Sequence, residues 1–160
     1  MKIIFKNKIS LRGSSSIKDE TGKDVLTVKG KLFSITHKKR ICSPEGEVLY
    51  VVRNKFFNWM FHSAYICDAE GEIIATLRSR PARKERFLVE GYQDNIALVW
   101  NGEFNSLDIL KNNEKIGSLH RSFFALLDTY ELEAEEENIP FLVAIIVGLD
   151  NISDRNARTR

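Results

Sequence analysis

Apolar residues in this chain fall at alternate positions in short runs, and turn residues interrupt the runs at close intervals. A period of two predicts strands with one buried and one exposed face. The clearest runs are Val25, Leu26 and Val28, then residues 48–52, 73–77, 87–89 and 96–100. Residues 3–9, 14–17, 37–41, 62–67, 104–110, 116–120 and 127–132 bring the total to about twelve strands. β-Branched and aromatic residues crowd into these runs, which predicts an antiparallel meander or barrel. Asn101-Gly102, between Trp100 and Phe104, predicts a tight hairpin because both residues tolerate positive φ.

The alternation carries a repeat. Ile41-Cys42-Ser43-Pro44-Glu45-Gly46-Glu47-Val48-Leu49 returns as Ile66-Cys67-Asp68-Ala69-Glu70-Gly71-Glu72-Ile73-Ile74, and Arg53 returns as Arg78. A weaker copy runs from Ile109 through Asn112-Asn113-Glu114-Lys115-Ile116 to Arg121, and an earlier one surrounds Asp19-Glu20-Thr21-Gly22-Lys23. Each reads as a strand, a polar turn with Gly or Asn, and a second strand ending in a base. A period of about 25 residues suits one such supersecondary unit. Cys42 and Cys67 hold equivalent places in it, so they read as small buried apolar residues rather than reactive thiols.

The strands that follow end in corners. Lys31-Leu32-Phe33-Ser34, Lys55-Phe56-Phe57-Asn58-Trp59 and Ser122-Phe123-Phe124-Ala125 place an aromatic pair there, most simply as a plug for the core. After Leu77 the corner instead reads Arg80-Pro81-Ala82-Arg83-Lys84-Glu85-Arg86, with bases where the aromatics stood.

One segment breaks the alternation. Residues 139–149 are apolar on every face, yet about 11 residues fall short of the ~20 that span a bilayer. Periodicity alone does not separate a buried strand from a buried helix, and the Val/Ile content leans toward strand. Asn138 as N-cap, Pro140 in the first turn and Glu135-Glu136-Glu137 at the positive dipole end favour helix. Such a helix must be surrounded, and the sheet is the available surround.

These features resemble the LURP-one-related family of the tubby C-terminal-like superfamily. The resemblance rests on the repeated Asp-x-x-Gly hairpins and the corner Lys31-Leu32-Phe33-Ser34. It also rests on Phe124-Ala125-Leu126-Leu127-Asp128-Thr129-Tyr130-Glu131-Leu132 and the closing segment ending Leu149-Asp150-Asn151-Ile152. It implies a mainly β protein: a closed antiparallel barrel of about twelve strands enclosing a hydrophobic C-terminal helix. The expected domain is residues 1–152, with 153–160 as a disordered basic tail. Tubby relatives bind phosphoinositides and scramblase relatives act at membranes, so the resemblance also points toward lipid. No relative's ligand residue transfers position by position.

Size and charge narrow the partners. With 160 residues, 43% hydrophobic and 29% charged, the chain can bury a core without disulfides or metals. The start, Met1-Lys2-Ile3-Ile4-Phe5-Lys6, is too charged for a signal peptide, so a reducing cytoplasmic setting is expected, peripheral to a membrane if lipid is the ligand. The net charge of +2 conceals eleven bases against three acids over residues 1–40, and three against ten over 91–140. Either the halves complement one another or a basic face meets phosphate.

Catalytic chemistry is missing from the sequence. His37, His62 and His120 show no metal-ligand spacing, and there is no nucleophile elbow, phosphate loop or dinucleotide fingerprint. Asp150-Asn151-Ile152-Ser153-Asp154 offers oxygen ligands but lacks the Gly and closing Glu of a calcium loop. Glu131, Glu133, Glu135, Glu136 and Glu137 read as a solvated ridge. The expectation is a non-enzyme with no catalytic residues, metal or cofactor. Two functional readings follow. The first is an anionic phospholipid or phosphoinositide headgroup held by Arg78, Arg80, Arg83, Lys84 and Arg86, with Lys38, Lys39, Arg40 and Lys55 adding charge. The bland counterpart is a solvated turn with Glu85 and Glu90 as partners. The second is a protein-interaction scaffold presenting residues 56–61, with Phe57, Trp59 and Phe61 as contacts, against burial under the barrel cap. A nucleic acid ranks third, because the acidic half repels a long polyanion.

Overall fold

A computed structural model describes residues 1–6, 13–30, 35–55, 63–80, 83–103, 105–124 and 127–158. Twelve strands run in order: β1 (Lys2–Lys6), β2 (Ser14–Asp19), β3 (Asp24–Gly30), β4 (Lys39–Cys42), β5 (Val48–Asn54) and β6 (Ser63–Cys67) come first. β7 (Ile73–Ser79), β8 (Glu85–Glu90), β9 (Ile96–Trp100), β10 (Ser106–Lys111), β11 (Glu114–Phe124) and β12 (Leu127–Ala134) complete them. Each pairs antiparallel with its neighbours in sequence, and β1 pairs with β12, for example Ile3 with Leu132, to close the barrel. Closure removes the free edges that an open sheet would expose.

The repeat is visible in backbone detail. Gly22, Gly46 and Gly71 sit at φ +86°, +94° and +95° in the same turn position, with open space around each. Their amides donate to the carbonyls of Asp19, Ser43 and Asp68 at 3.0, 3.0 and 3.2 Å. Side chains reinforce all three turns: Asp19 Oδ1 accepts from the Thr21 and Lys23 amides, Ser43 Oγ from the Glu47 amide at 3.3 Å, and Asp68 Oδ1 from the Glu72 amide at 2.8 Å. A register shift follows the same place in each copy, at Ile17/Lys18, Ile41/Cys42, Ile66/Cys67 and Ile109/Leu110. The fourth copy turns more tightly, through Asn112 and Asn113 at φ +51° and +71°.

The lumen is filled by α1 (Ile139–Arg158), which begins after a 3₁₀ turn at Glu136–Asn138. The Ile139 amide donates to the Glu136 carbonyl, so this turn, rather than an Asn138 side-chain cap, leads into the helix. Residues 141–152 are all buried. The barrel wall is their surround: Ile3, Ile41, Val52, Ile66, Leu77, Leu98, Ile109 and Leu132 form one cluster with Leu142, Ile145 and Ile146. Burying each such side chain is worth about 1.5–3 kcal/mol. Phe141 plugs one end, stacked on Tyr92 at 4.3 Å and edge-on to Tyr50. The helix continues through residues 153–158, where the sequence suggested a disordered tail. No Gly or Pro interrupts that stretch, so nothing local stops the helix.

The helix does not touch all walls equally. A Cβ at Gly148 would lie 3.0 Å from Leu77 Cδ2 and 3.5 Å from Ala64, so the missing side chain lets α1 press on β5–β7. At Gly117 the same construction gives 2.9 Å to the Glu133 carbonyl and 3.5 Å to Leu142. Leu149, turned about 100° from Gly148 along the helix, faces the β9–β12 wall.

Candidate functional site

Antiparallel alternation sorts the connections between two barrel ends. The repeat hairpins and the start of α1 share one end. The β3–β4, β5–β6, β7–β8 and β9–β10 connections and the later turns of α1 share the other, called here the corner end. Every basic residue proposed from the β7–β8 corner lies there.

That corner is a turn closed by backbone bonds. The Arg80 amide donates to the Arg86 carbonyl at 2.8 Å, and the Trp100 amide to the Lys84 carbonyl at 3.1 Å. A register shift between Glu85 and Phe87 places Arg86 at the irregularity. Two of the five bases are paired: Arg78 with Glu90 at 3.1 Å and Arg80 with Glu85 at 3.0 Å. Arg83, Lys84 and Arg86 make no ion pair among the described residues. The stretch therefore divides into two surface pairs, worth at most about 1 kcal/mol each, and three bases without an ion-pair partner among the described residues.

The neighbouring charges are not equivalent to these. Lys39, expected to add to the basic surface, is 1% exposed and turns inward. Its Nζ meets Asp150 Oδ2 of α1 at 3.2 Å, a buried ion pair bridging 111 positions of sequence. The lumen-facing side of a strand, not its charge, decided this. Asn54 Nδ2 donates to the Asn151 carbonyl at 3.4 Å, and Asn151 Nδ2 to the His37 carbonyl at 3.1 Å. Asp150 and Asn151, weighed as oxygen ligands, thus fasten the helix to β4 and β5. Lys2 pairs with Glu131 across β1–β12 at 2.8 Å, so part of the charge asymmetry is spent internally.

On the other side of α1 lies a cavity of about 490 Å³. Its apolar wall comprises Phe87, Trp100, Leu107, Leu119, Tyr130 and Leu149. Asn105, Ser106 and Arg121 supply polar groups. Arg121 is the residue that sequence reading misplaced. The repeat equated it with Arg53 and Arg78, but the register sets Arg121 against Tyr130 and Leu119 against Leu132. Leu119 is 3% exposed and Leu132 fully buried, so Arg121, two residues on, shares their lumen face. Its guanidinium stands 5.7 Å over the Tyr130 ring. The shorter Asn112-Asn113 turn shifts the phase by one residue, and one residue exchanges the faces. Counting from the turn rather than from the base would have exposed the shift.

The rim of this cavity is the 101–105 connection. It is longer than the tight Asn101-Gly102 hairpin predicted, because β10 begins only at Ser106. Gly102 and Asn105 take φ +96° and +58°, and Trp100 Nε1 donates to the Glu103 carbonyl at 3.0 Å, tying the indole to its own loop. Trp100 remains 45% exposed. The Arg121 amide donates to the Asn105 carbonyl at 3.0 Å, and Ser106 Oγ lies 2.8 Å from His120 Nδ1.

Among the described residues no three His, Cys, Asp or Glu side chains are grouped to hold a metal. Cys42 and Cys67 are free and buried. Burial pushes the Cys67 thiol up, with Arg53 pulling the other way, and a protonated thiol is a poor nucleophile. Phe57, Trp59 and Phe61, like His62, Pro81 and Ala82, lie outside the described residues.

Twelve antiparallel strands closed around one apolar helix define a class of barrel in which the lumen serves as the helix's solvent. The sequence profile of the LURP-one-related family matches residues 1–150, and the chain belongs to that family. No curated protein and no solved structure matches the chain.

Proposed function

We propose that the protein is a non-enzymatic binding module for anionic phospholipid headgroups, acting at a membrane surface through its β7–β8 corner. One observation carries this reading: Arg83, Lys84 and Arg86 are gathered on one turn without acidic partners among the described residues. Each base near an anionic surface contributes about 1 kcal/mol, so three amount to about a hundredfold in affinity. No helix among the described residues is long and apolar enough to cross a membrane, so association through this corner would be peripheral.

The test is sedimentation with vesicles of phosphatidylcholine alone or with added phosphatidylserine. Binding should require the anionic lipid, weaken with salt, and fall about a hundredfold when Arg83, Lys84 and Arg86 are all Ala. Arg78→Ala should matter less, since Glu90 already occupies that base. Equal binding to both vesicle types would overturn the proposal. The alternative, a protein interface at Phe57, Trp59 and Phe61, rests on sequence alone. It predicts that Trp59→Ala abolishes partner capture while the melting temperature holds.

A further inference from the structure

We infer that the membrane-facing surface is the whole corner end of the barrel, which stands on an anionic bilayer with the barrel axis along the membrane normal and the opposite, hairpin end held away. The inference rests on the headgroup reading and deepens it: the partner is an extended charged surface, met in one orientation.

The fold separates charge along the barrel axis. In sequence the bases gather in residues 1–40 and the acids in 91–140, but antiparallel alternation re-sorts them by end. The hairpin-end connections, residues 20–23, 43–47, 68–72, 91–95, 112–113 and 135–138, carry ten acids and one base. Of these acids only Asp94 is ion-paired among the described residues, with Lys111. At the corner end the described connecting residues, 13, 35–38, 55, 80, 83–84, 101–103 and 105, carry five bases and one acid. A bond formed within that end leaves its net charge unchanged. Seven-residue strands such as β5 rise ~3.3 Å per residue and tilt about 40° in a closed barrel, so the two ends stand about 15–20 Å apart. That is about two Debye lengths at physiological salt, so each end meets its surroundings nearly independently. A net charge of +2 alone gives little attraction to an anionic surface. A barrel lying on its side would bring both ends within reach of the bilayer, and the acids would cancel the bases. Standing on its corner end, it keeps the bases inside the screened layer and the acids beyond it.

Vesicles of phosphatidylcholine and phosphatidylserine test the orientation with the full chain. The variant Glu45→Gln/Glu47→Gln/Glu70→Gln/Glu72→Gln removes four negative charges from two hairpin turns, whose side-chain bonds use Ser43 and Asp68 instead. Four charges close to the surface amount to more than about a hundredfold in affinity. Held about two Debye lengths away, they should change it less than about threefold. A second measurement reads distance directly. A donor fluorophore on Ile35→Cys, in the β3–β4 connection, should transfer energy to an acceptor-labelled lipid more efficiently than one on Ala69→Cys, in the β6–β7 turn. Both positions are exposed, whereas Cys42 and Cys67 are buried away from the label. Unchanged affinity in the glutamine variant, with stronger transfer from position 35, supports the inference. Tightening beyond about threefold, or equal transfer from the two positions, overturns the orientation and leaves the headgroup reading standing. Equal binding to vesicles with and without phosphatidylserine removes both.

Discussion

The two sides of the central helix are built by opposite rules. Toward β4–β7, α1 approaches until a Cβ at Gly148 would stand 3.0 Å from Leu77, and Lys39, Asp150, Asn54 and Asn151 fasten it with directional bonds. Toward β9–β12, Leu149 faces a cavity of about 490 Å³. Apolar contacts alone leave a greasy helix free to slide or rotate within a greasy lumen. A buried charge pair does not, because sliding would separate two desolvated charges. In this reading the pair contributes little net stability and instead fixes where the helix sits. The fastened wall is what allows the opposite wall to stay open.

Breaking the fastening should have the largest effect. Lys39→Met leaves Asp150 buried opposite an apolar group and should cost about 3–5 kcal/mol in urea unfolding. The double variant Lys39→Met/Asp150→Leu should recover most of that loss. Equal losses in the single and double variants would show that the charges are not coupled. Neighbouring helix positions should then separate the two sides. Gly148→Leu drives a side chain into Leu77 and Ala64 and should cost about 1–3 kcal/mol, whereas Leu149→Phe enters the cavity and should cost under about 1.5 kcal/mol. Similar losses at both positions would remove the distinction.

Smaller effects belong to the hairpin end. Asp68→Ala deletes the side-chain acceptor for the Glu72 amide and should lower stability by about 1 kcal/mol, with the lumen cavity unaffected. Acid should touch this end through its surface pairs. The Lys115 ammonium hydrogen-bonded to Asp108 holds that carboxyl below the usual range, and Lys111 and Asn112 do the same for Asp94. A pKa lowered by folding means stability that is present above the unfolded value, near 4, and lost as pH falls through the folded one. The melting-temperature difference between wild type and Lys115→Ala should therefore shrink from pH 6 to pH 3. A constant difference would show that the Asp108 charge is not involved.

Much of the architecture was legible because it is local. Glycine at each copied turn reports positive φ, alternation reports the wall, and an apolar run bounded by acids and Pro140 reports the helix. The basic corner was legible as a departure from the repeat, although its division into paired and unpaired bases was not, since Glu85 and Glu90 choose partners by register. The inward face of Arg121 was missed for the same reason. Arg121 looked like one more strand-ending base until the shortened turn moved it to the other face.

By itself, then, the chain specified twelve strands, their hairpins, their tight glycine turns and a helix that needed an apolar enclosure, all from interactions among residues close in sequence. Tertiary structure alone decided that Lys39 meets Asp150, that Arg121 faces inward beside Leu149, and that α1 lies nearer one wall than the other. These pairings join residues far apart in the chain, and they exist only after closure of the barrel assigns every strand an inside and an outside.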